Sequence, residues 1–246
     1  MHKLLIALFL YQIPGFSQGD FPFIKGESLE YKIHYGPIDA GTASLKVQFE
    51  EGDYWFVAEG KSTGLFNLFF KVRDYYESII DTNCTCPIYF TRNVREGNYK
   101  KKESVFFNEA LNRAESTRDT ISLPDNHQDI LSVFYYLRSQ NLDNFLVGDT
   151  IPVQVYLDDG FMSSHLSYIG RDTLQTKFGY APSTIWAPQL EIGRVFDEKN
   201  GMKIWVSDDV NKIPLRIETP VLVGSIKIDL VQFSNLKQPL RILLLD

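Results

Sequence analysis

Catalytic and cofactor motifs are missing from this chain of 246 residues. It has neither of the glycine-rich phosphate loops, no Gly-x-Ser-x-Gly turn to carry a nucleophilic serine, and no His-Glu-x-x-His helix to bind zinc. Its four histidines and two cysteines do not form a spaced set of metal ligands. We therefore expect no catalytic residue that can be assigned, no metal site and no cofactor, so an enzyme is less favoured than a binding protein.

Long apolar runs and an excess of basic residues are missing as well. After the first 17 residues, no apolar stretch reaches the roughly 18 residues that a membrane-spanning helix needs. The net charge of −6 and the pI near 5.3 argue against nucleic acid, or an anionic membrane surface, as the main partner. We expect no nucleic-acid partner and no membrane-spanning segment in the processed chain.

The start of the chain has the pattern of a targeting signal. A weakly basic start, Met1–Lys3, precedes the apolar stretch Leu4–Tyr11, and Gly15 and Ser17 place small residues where a signal peptidase cleaves. This pattern predicts a signal peptide over residues 1–17. The mature protein is then expected in the periplasm or outside the cell.

The remaining residues, 18–246, have the composition of a folded protein. The chain is 44% hydrophobic and 14% aromatic, which excludes a disordered chain. Neither an internal repeat nor a low-complexity linker divides the sequence. We predict one β-rich domain over residues 18–246.

Alternation of apolar and polar residues dominates this region and predicts half-buried antiparallel strands. Leu29, Tyr31, Ile33 and Tyr35 share one strand face, and Ala43–Phe49 repeats the pattern after a turn. Further predicted strands are Trp55–Glu59, Tyr75–Ile80, Tyr89–Arg95, Glu103–Phe107, Arg113–Thr117, Ile151–Leu157, Ser164–Ile169, Thr173–Phe178, Lys203–Val206, Leu215–Glu218 and Ser225–Phe233. A sheet with this many strands usually curls or closes into a barrel. The expected fold is therefore mainly β: a strongly curved antiparallel sheet or an incomplete barrel with one packed α-helix.

The segment Asp129–Ser139 supplies that helix. Its apolar residues recur at spacings of three and four, as on one helical face: Ile130, Val133, Phe134 and Leu137. Asp125 or Asn126, after Pro124, is a suitable start or cap.

The densest apolar stretch, Leu65–Phe70, is the candidate binding site. It is either a buried strand or short helical turn that seals the core, or a flap at the mouth of an apolar cavity that binds a lipid-like ligand. The candidate ligand-binding residues are Leu65, Phe66, Leu68, Phe69, Phe70 and Trp186.

Paired acids and a basic patch allow other interpretations. Asp158–Asp159 and Asp208–Asp209 could do acid–base work, with His165 as a further candidate, but both pairs lie in predicted turns, where Asp is favoured for local hydrogen bonds. The basic residues within Arg92–Lys102 could bind phosphate, sulfated glycan or lipid headgroups, or form a solvated strand face.

The two cysteines, Cys84 and Cys86, are separated by one residue. An oxidising compartment permits a disulfide between them. The pair is alternatively two inert small residues, or a redox or metal-binding pair.

Several segments together resemble the domain of unknown function 3108 family, in order and over about residues 21–233. The opening, Gly26-Glu27-x-Leu29-x-Tyr31-x-Ile33-x-Tyr35-Gly36, carries the likeness together with Asp74–Asp81, Gln128–Arg138, Trp205–Glu218 and Gly224–Ile226. The resemblance implies a secreted, β-rich envelope protein of Gram-negative bacteria, akin at the level of fold to the curved half-barrels of lipoprotein-localisation carriers. It assigns no catalytic residue.

The sequence therefore favours a non-enzymatic periplasmic or cell-envelope protein that binds a lipid-like or other apolar ligand in a curved β-sheet. Its expected partners are a lipid or lipoprotein segment, or another envelope protein. Two alternatives remain: a hydrolase acting on envelope glycan or lipid through Asp208, Asp209 or His165, and a structural partner in an envelope complex.

Overall fold

The structure, a computed structural model, describes residues 21–190, 201–221 and 224–243, so the predicted signal peptide lies outside the described residues. The strands are β1 (Ser28–Tyr35), β2 (Ile38–Glu50), β3 (Asp53–Ser62), β4 (Arg73–Ile80), β5 (Pro87–Glu96), β6 (Tyr99–Asn108), β7 (Arg113–Ser116), β8 (Thr120–Ser122), β9 (His127–Asp129), β10 (Thr150–Leu157), β11 (Gly160–Thr176), β12 (Gly179–Leu190), β13 (Lys203–Ser207), β14 (Pro214–Pro220) and β15 (Ser225–Ser234). The helices are α1 (Phe66–Phe69) and α2 (Ser132–Ser139). Among the described residues, no helix is long and apolar enough to cross a bilayer.

In the described ranges these strands form one sheet of 15 strands in the order β8-β7-β6-β5-β4-β3-β2-β1-β15-β14-β13-β12-β11-β10-β9. A flat sheet of that width would separate its edges by about 67 Å, at about 4.8 Å per neighbouring pair. Residues 123–126 nevertheless link β8 at one edge to β9 at the other, a link that spans at most about 17 Å. The sheet must therefore curl strongly, which confirms the predicted curved, unclosed antiparallel architecture. Only β9 and β10 pair in parallel among the described strands.

Side chains, rather than backbone pairing, bring the two edges together. The turn between β10 and β11 places the Asp158 carboxylate 2.5 Å from a guanidinium nitrogen of Arg92 on β5 and 2.6 Å from Lys101 Nζ on β6. Arg92 also pairs with Glu103 at 2.6 Å, and Glu103 accepts a hydrogen bond from the Asp159 backbone N–H. These charges fix the curvature at a position where no strand pairing does so.

Helix α2 lies against the inner face of the curl. Tyr135 stacks on Phe56 with ring centroids 3.5 Å apart, while Leu137 packs into a second buried cluster with Trp186. Contact with both halves of the sheet makes α2 the central element of the core, as predicted for the packed helix.

The helix begins later than the sequence indicates, and the predicted cap at Asp125 or Asn126 is wrong. Asp129, at the end of β9, accepts hydrogen bonds from the backbone N–H groups of Leu131 and Ser132 at 2.7 and 2.8 Å. A buried carboxylate thus satisfies the first free N–H groups of the helix, so α2 starts at Ser132.

Two strand predictions also differ from the structure. The predicted strand Ser164–Ile169 and most of the predicted strand Thr173–Phe178 belong to the single long strand β11, which ends at Thr176. The sequence does not predict strand β12, because Pro182 and Pro188 are typical of a break in a strand. Both prolines nevertheless lie within the ladder that β12 forms with β11.

The sheet has two unlike ends, seen along β1–β5. The closed end is where β1 and β3 begin and α2 packs. There Glu27 is buried and bonded to Arg138 through both carboxylate oxygens, at 2.6 and 2.8 Å. The open end is where β1 finishes at Tyr35 and β4 starts at Arg73.

Candidate functional site

The inward-facing side chains of β2 and β3 shrink from the closed end to the open end. At the closed end, β2 presents Val47 and β3 presents Phe56, both buried in the core. At the open end, the same faces carry Gly41 opposite Ser62 and Ala43 opposite Gly60. The sequence therefore leaves a space at the open end that no side chain of these strands fills.

The two glycines make this space for different reasons. A Cβ at Gly41 would lie 2.4 Å from the Lys61 carbonyl oxygen, so the close approach of β2 and β3 requires glycine there. A Cβ at Gly60 would meet only the Asp74 Cβ, at 3.9 Å, which is an ordinary contact. Gly60 therefore leaves room in the groove that a larger side chain could occupy.

The resulting groove has a volume of about 590 Å³, within the usual range for small-molecule sites. Its walls are largely apolar and come from β1, β2, β3, β15 and the segment around α1. They include Ile33, Tyr35, Phe66, Phe70, Ile226 and Ile228. Strand β15 enters because it pairs with β1 across a sequence separation of nearly 200 residues.

The candidate segment Leu65–Phe70 covers this groove as one helical turn, and its spacing divides it into two faces. Phe66 and Phe70, four residues apart, line the groove. Leu65, Leu68 and Phe69 share the opposite face and are 74%, 76% and 88% exposed. Asn67 anchors the turn by accepting a hydrogen bond from Ser62 Oγ at 2.9 Å. None of its residues is buried, so the segment is a short helical turn and not a buried strand, while its role as a flap stays a prediction.

The sixth candidate, Trp186, lies elsewhere. It is fully buried among Phe145 and Tyr168, and its indole N–H donates to Thr184 Oγ1 at 3.0 Å. It does not line the groove. Its contribution to ligand contact stays a prediction, and its observed role is in packing under α2.

Two carboxyl groups face the groove, from neighbouring strands. Asp74 on β4 and Glu96 on β5 both contribute to its wall. Burial, and then the negative charge and hydrogen bond of Asp74, raise the pKa of Glu96. The groove is therefore apolar with one polar side, which two neighbouring acids form.

The basic residues of Arg92–Lys102 are divided between the two sheet faces. Arg92 and Lys101 face inward and belong to the charge cluster that holds the sheet edges together. Arg95 and Lys100 instead line a hollow at the rim of the open end, around Gly97. The prediction of one solvated face holds only for the second group.

Of the two acidic pairs, Asp158–Asp159 belongs to the charge cluster with Arg92 and Lys101, and Asp208–Asp209 is engaged in hydrogen bonds and an ion pair. One Asp209 carboxylate oxygen accepts hydrogen bonds from Ser207 Oγ and from the Asn211 backbone N–H, and Asp208 lies 3.3 Å from Arg171. His165 belongs to a different part of the sheet, on β11 opposite Pro152 and Gln189. Among the described residues, no group of three or more His, Cys, Asp or Glu side chains could hold a metal ion.

The two cysteines form a disulfide in the turn between β4 and β5. This selects the bridged alternative among those that the sequence left open. The bridge lies in an exposed turn, and the Thr85 carbonyl between the cysteines accepts a hydrogen bond from Gln128 Nε2 at 3.2 Å.

Comparison with known proteins gives a family and a fold. The model of a family described as protein of unknown function (DUF3108) matches residues 30–231. Among solved structures, the chain is similar to the crystal structure of a β-barrel-like protein of domain of unknown function DUF1849 from Brucella abortus, with a TM-score of 0.58 and 9% sequence identity over 86% of this chain and 98% of that one. At that identity the likeness shows the fold alone. No curated protein matches the chain.

Proposed function

The chain belongs to the family described as protein of unknown function DUF3108, and from that premise we propose that it binds an apolar or amphipathic ligand, such as a lipid or an acyl chain, in the groove at the open end. The observation that carries this proposal is the groove itself: about 590 Å³ of space with largely apolar walls. Removing an apolar chain from water into such a space stabilises the complex in proportion to the area buried.

The arrangement around the groove supports binding without chemistry. Phe66 and Phe70 supply two aromatic rings on one side, while Ile33, Ile226 and Ile228 supply branched apolar side chains on the other. Asp74 and Glu96 give the groove a polar side, as a site for an amphipathic molecule has. In this proposal the protein carries its ligand and does not transform it.

The proposal places the protein in the periplasm or at the cell envelope. The signal pattern in residues 1–17 motivates this location, because it would deliver residues 18–246 to an oxidising compartment. The disulfide between Cys84 and Cys86 is compatible with such a compartment. Fractionation of cells that express the full chain tests it: retention of the unprocessed chain in the cytoplasm would contradict the location.

Ligand binding is tested with a substitution whose side chain occupies the groove. Gly60→Phe adds a ring where the Cβ position meets only Asp74, so the variant should fold while the groove loses volume. Gln48→Phe is the matched control, because Gln48 is an exposed residue of the neighbouring strand β2, and its substitution adds the same ring outside the groove. Both variants are compared with the unaltered protein for uptake of a fluorescent fatty acid.

We expect the unaltered protein and Gln48→Phe to bind the probe alike, and Gly60→Phe to bind it at least about tenfold more weakly. Native mass spectrometry of the purified protein adds an independent measurement, since a co-purified lipid would appear as added mass. Equal binding by Gly60→Phe, or no binding by the unaltered protein, would exclude the groove as the ligand site.

A further inference from the structure

The outward face of the α1 turn is an apolar tip that the groove does not use. Leu65, Leu68 and Phe69 lie at positions i, i+3 and i+4, so one turn of helix presents all three in the same direction. Their exposures of 74–88% are the highest among the large hydrophobic residues of the described ranges. A contiguous apolar tip of this kind marks an interaction surface on a water-soluble protein.

Unpaired cations surround this tip. Lys71 follows Phe70 directly, and with Arg73, Arg95 and Lys100 it lines a hollow of about 330 Å³ whose lining contains no acid. The Phe70 ring joins the tip to the hollow, because it lies 2.9 Å from where a Cβ of Gly97 would stand. Within the described ranges none of the four cations is in an ion pair, whereas six other arginines are: Arg92, Arg113, Arg118, Arg138, Arg171 and Arg216.

Strand alternation only partly separates these cations from the acids beside them in the chain. Glu96 lines the groove, whereas Asp74 lines both the groove and the outer hollow that Arg73 and Arg95 share with Glu30 and Glu59. The smaller hollow around Gly97, by contrast, is lined by four cations and no acid, although the whole chain carries a net charge of −6. Since salt screens charges beyond about 8–10 Å, a surface that touches the rim responds to these cations more than to the net charge.

A second apolar tip on the same molecule lacks this setting. Leu146 and Val147 are each 73% exposed in the loop between α2 and β10. That loop carries Asp143 and Asp149 and contains no lysine or arginine. It is a matched comparison, because it has similar exposure and apolar character with the opposite local charge.

We propose that the α1 tip and its basic rim dock on an anionic lipid surface. Leu65, Leu68 and Phe69 enter the boundary between headgroups and acyl chains, and the four cations contact lipid phosphates. Docking in this orientation brings the mouth of the groove to the membrane. The inference does not depend on the proposed ligand, because docking uses residues on the outside of the groove.

Vesicle flotation tests the proposal with the whole protein. One set of vesicles contains phosphatidylcholine alone, and the other contains about 30% phosphatidylglycerol. We expect binding to the anionic vesicles only, falling as salt is raised. Leu68→Ser with Phe69→Ser should weaken that binding by about tenfold or more, since it removes the inserting side chains. Lys71→Glu with Lys100→Glu should weaken it by at least about twentyfold, at about fivefold for each lysine.

Two control variants separate docking from general effects. Leu146→Ser with Val147→Ser should bind the vesicles as the unaltered protein does, and so should Lys25→Glu, an exposed charge change at the closed end. Equal binding to neutral vesicles, or full binding by either tip variant or rim variant, would overturn the proposal. A dimer that disappears in Leu68→Ser with Phe69→Ser, without vesicle binding by the unaltered protein, would identify the tip as a contact between two copies instead.

The experiments distinguish a failure of the docking proposal from a failure of the proposed ligand site. The Gly60→Phe variant should lose the fatty-acid probe and keep vesicle binding, whereas the rim variant should lose vesicle binding and keep the probe. Loss of both activities in either variant would contradict the separation between groove and tip.

Discussion

The closed and open ends of this sheet are built from the same strands but differ in how their inward faces are filled. At the closed end, Phe56 of β3 stacks on Tyr135, and a fully buried Arg138 is neutralised by Glu27. At the open end, the same strand presents Gly60 to a groove. The inward face is packed with large side chains at the closed end, whereas at the open end small residues leave a groove.

Charge follows the same division. The closed end and the interior of the curl bury paired charges, whereas the four cations that line the hollow around Gly97 at the open end have no ion pair among the described residues. Buried charges must be paired because removing them from water is costly. Cations without an ion pair are tolerated where water can solvate them, as at the edge of the open end.

Loss of the buried ion pair between Glu27 and Arg138 is expected to have the largest effect on stability, and it tests the contrast between the two ends. Glu27→Gln leaves the Arg138 guanidinium buried opposite an amide group that cannot neutralise it. We expect the free energy of unfolding to fall by about 3–5 kcal/mol in urea denaturation. Glu59→Gln, which removes an exposed ion pair with Lys46, is the control and should change it by at most about 1 kcal/mol.

Replacing both buried partners should restore most of the loss. Glu27→Leu with Arg138→Met removes the charges together and keeps the volume apolar, so no unpaired charge remains. If Glu27→Gln were as mild as Glu59→Gln, the pair would not hold the N-terminal segment to α2, and the distinction between the two ends would lose its main support.

The next largest expected effect is a pH dependence of stability that arises from Asp129. Burial raises the pKa of Asp129 to about 6, although hydrogen bonds from Ser78, Ser132 and Leu131 lower it. An unfolded chain has an Asp pKa near 3.9, so between about pH 4 and about pH 6 the folded state binds a proton that the unfolded state does not. The free energy of unfolding therefore falls as pH rises through that window, by on the order of 3 kcal/mol, and this contribution is constant above it.

Asp129→Asn tests this dependence with nearly the same shape. The amide oxygen can still accept from the α2 N–H groups, but it does not titrate, so the fall between about pH 4 and about pH 6 should disappear. Asp125→Asn, an exposed acid in the same connection, should keep the fall. Parallel pH profiles for both variants would contradict a raised pKa at Asp129.

The sequence predicts the strands and the helix whose residues show a clear apolar periodicity. Alternation in Leu29–Tyr35 identifies β1, and the spacing of Val133, Phe134 and Leu137 identifies α2. The sequence does not predict β12, because Pro182 and Pro188 contradict the local propensity for a strand, which the ladder with β11 overrides.

The candidate site could be predicted only in part, for a physical reason. Leu65–Phe70 is recognisable as apolar, but whether it is buried depends on what lies beneath it. Ile226 and Ile228 reach the groove through the pairing of β15 with β1, and no local pattern reports that pairing. Large aromatic residues such as Trp186 often line cavities, but the same size and apolar character make them good core residues, and the sequence alone does not distinguish the two.

A smaller expected effect, on ligand affinity, concerns Glu96 at the open end. The raised pKa of Glu96 means that this acid loses its proton above its usual range and then adds a second negative charge beside Asp74. His34, Tyr35 and Lys61 also face the groove. We expect the affinity for an acidic amphiphile, measured with the fluorescent fatty acid, to fall by roughly threefold as Glu96 deprotonates. Glu96→Gln should remove that fall, and a fall of the same size in this variant would assign it to another group.

The smallest expected effect on stability is the most informative about the α1 turn. Phe69 is 88% exposed, so Phe69→Ser removes little packing, and the free energy of unfolding should change by no more than about 0.5 kcal/mol. Phe56→Ala, the matched aromatic truncation at the closed end, should lower it by about 3–5 kcal/mol. Should Phe69→Ser instead cost more than about 1 kcal/mol, α1 would be the seal over the core that the sequence also allowed. A neutral Phe69→Ser would show that this ring does not stabilise the fold, which leaves it free for the proposed contact with a lipid surface.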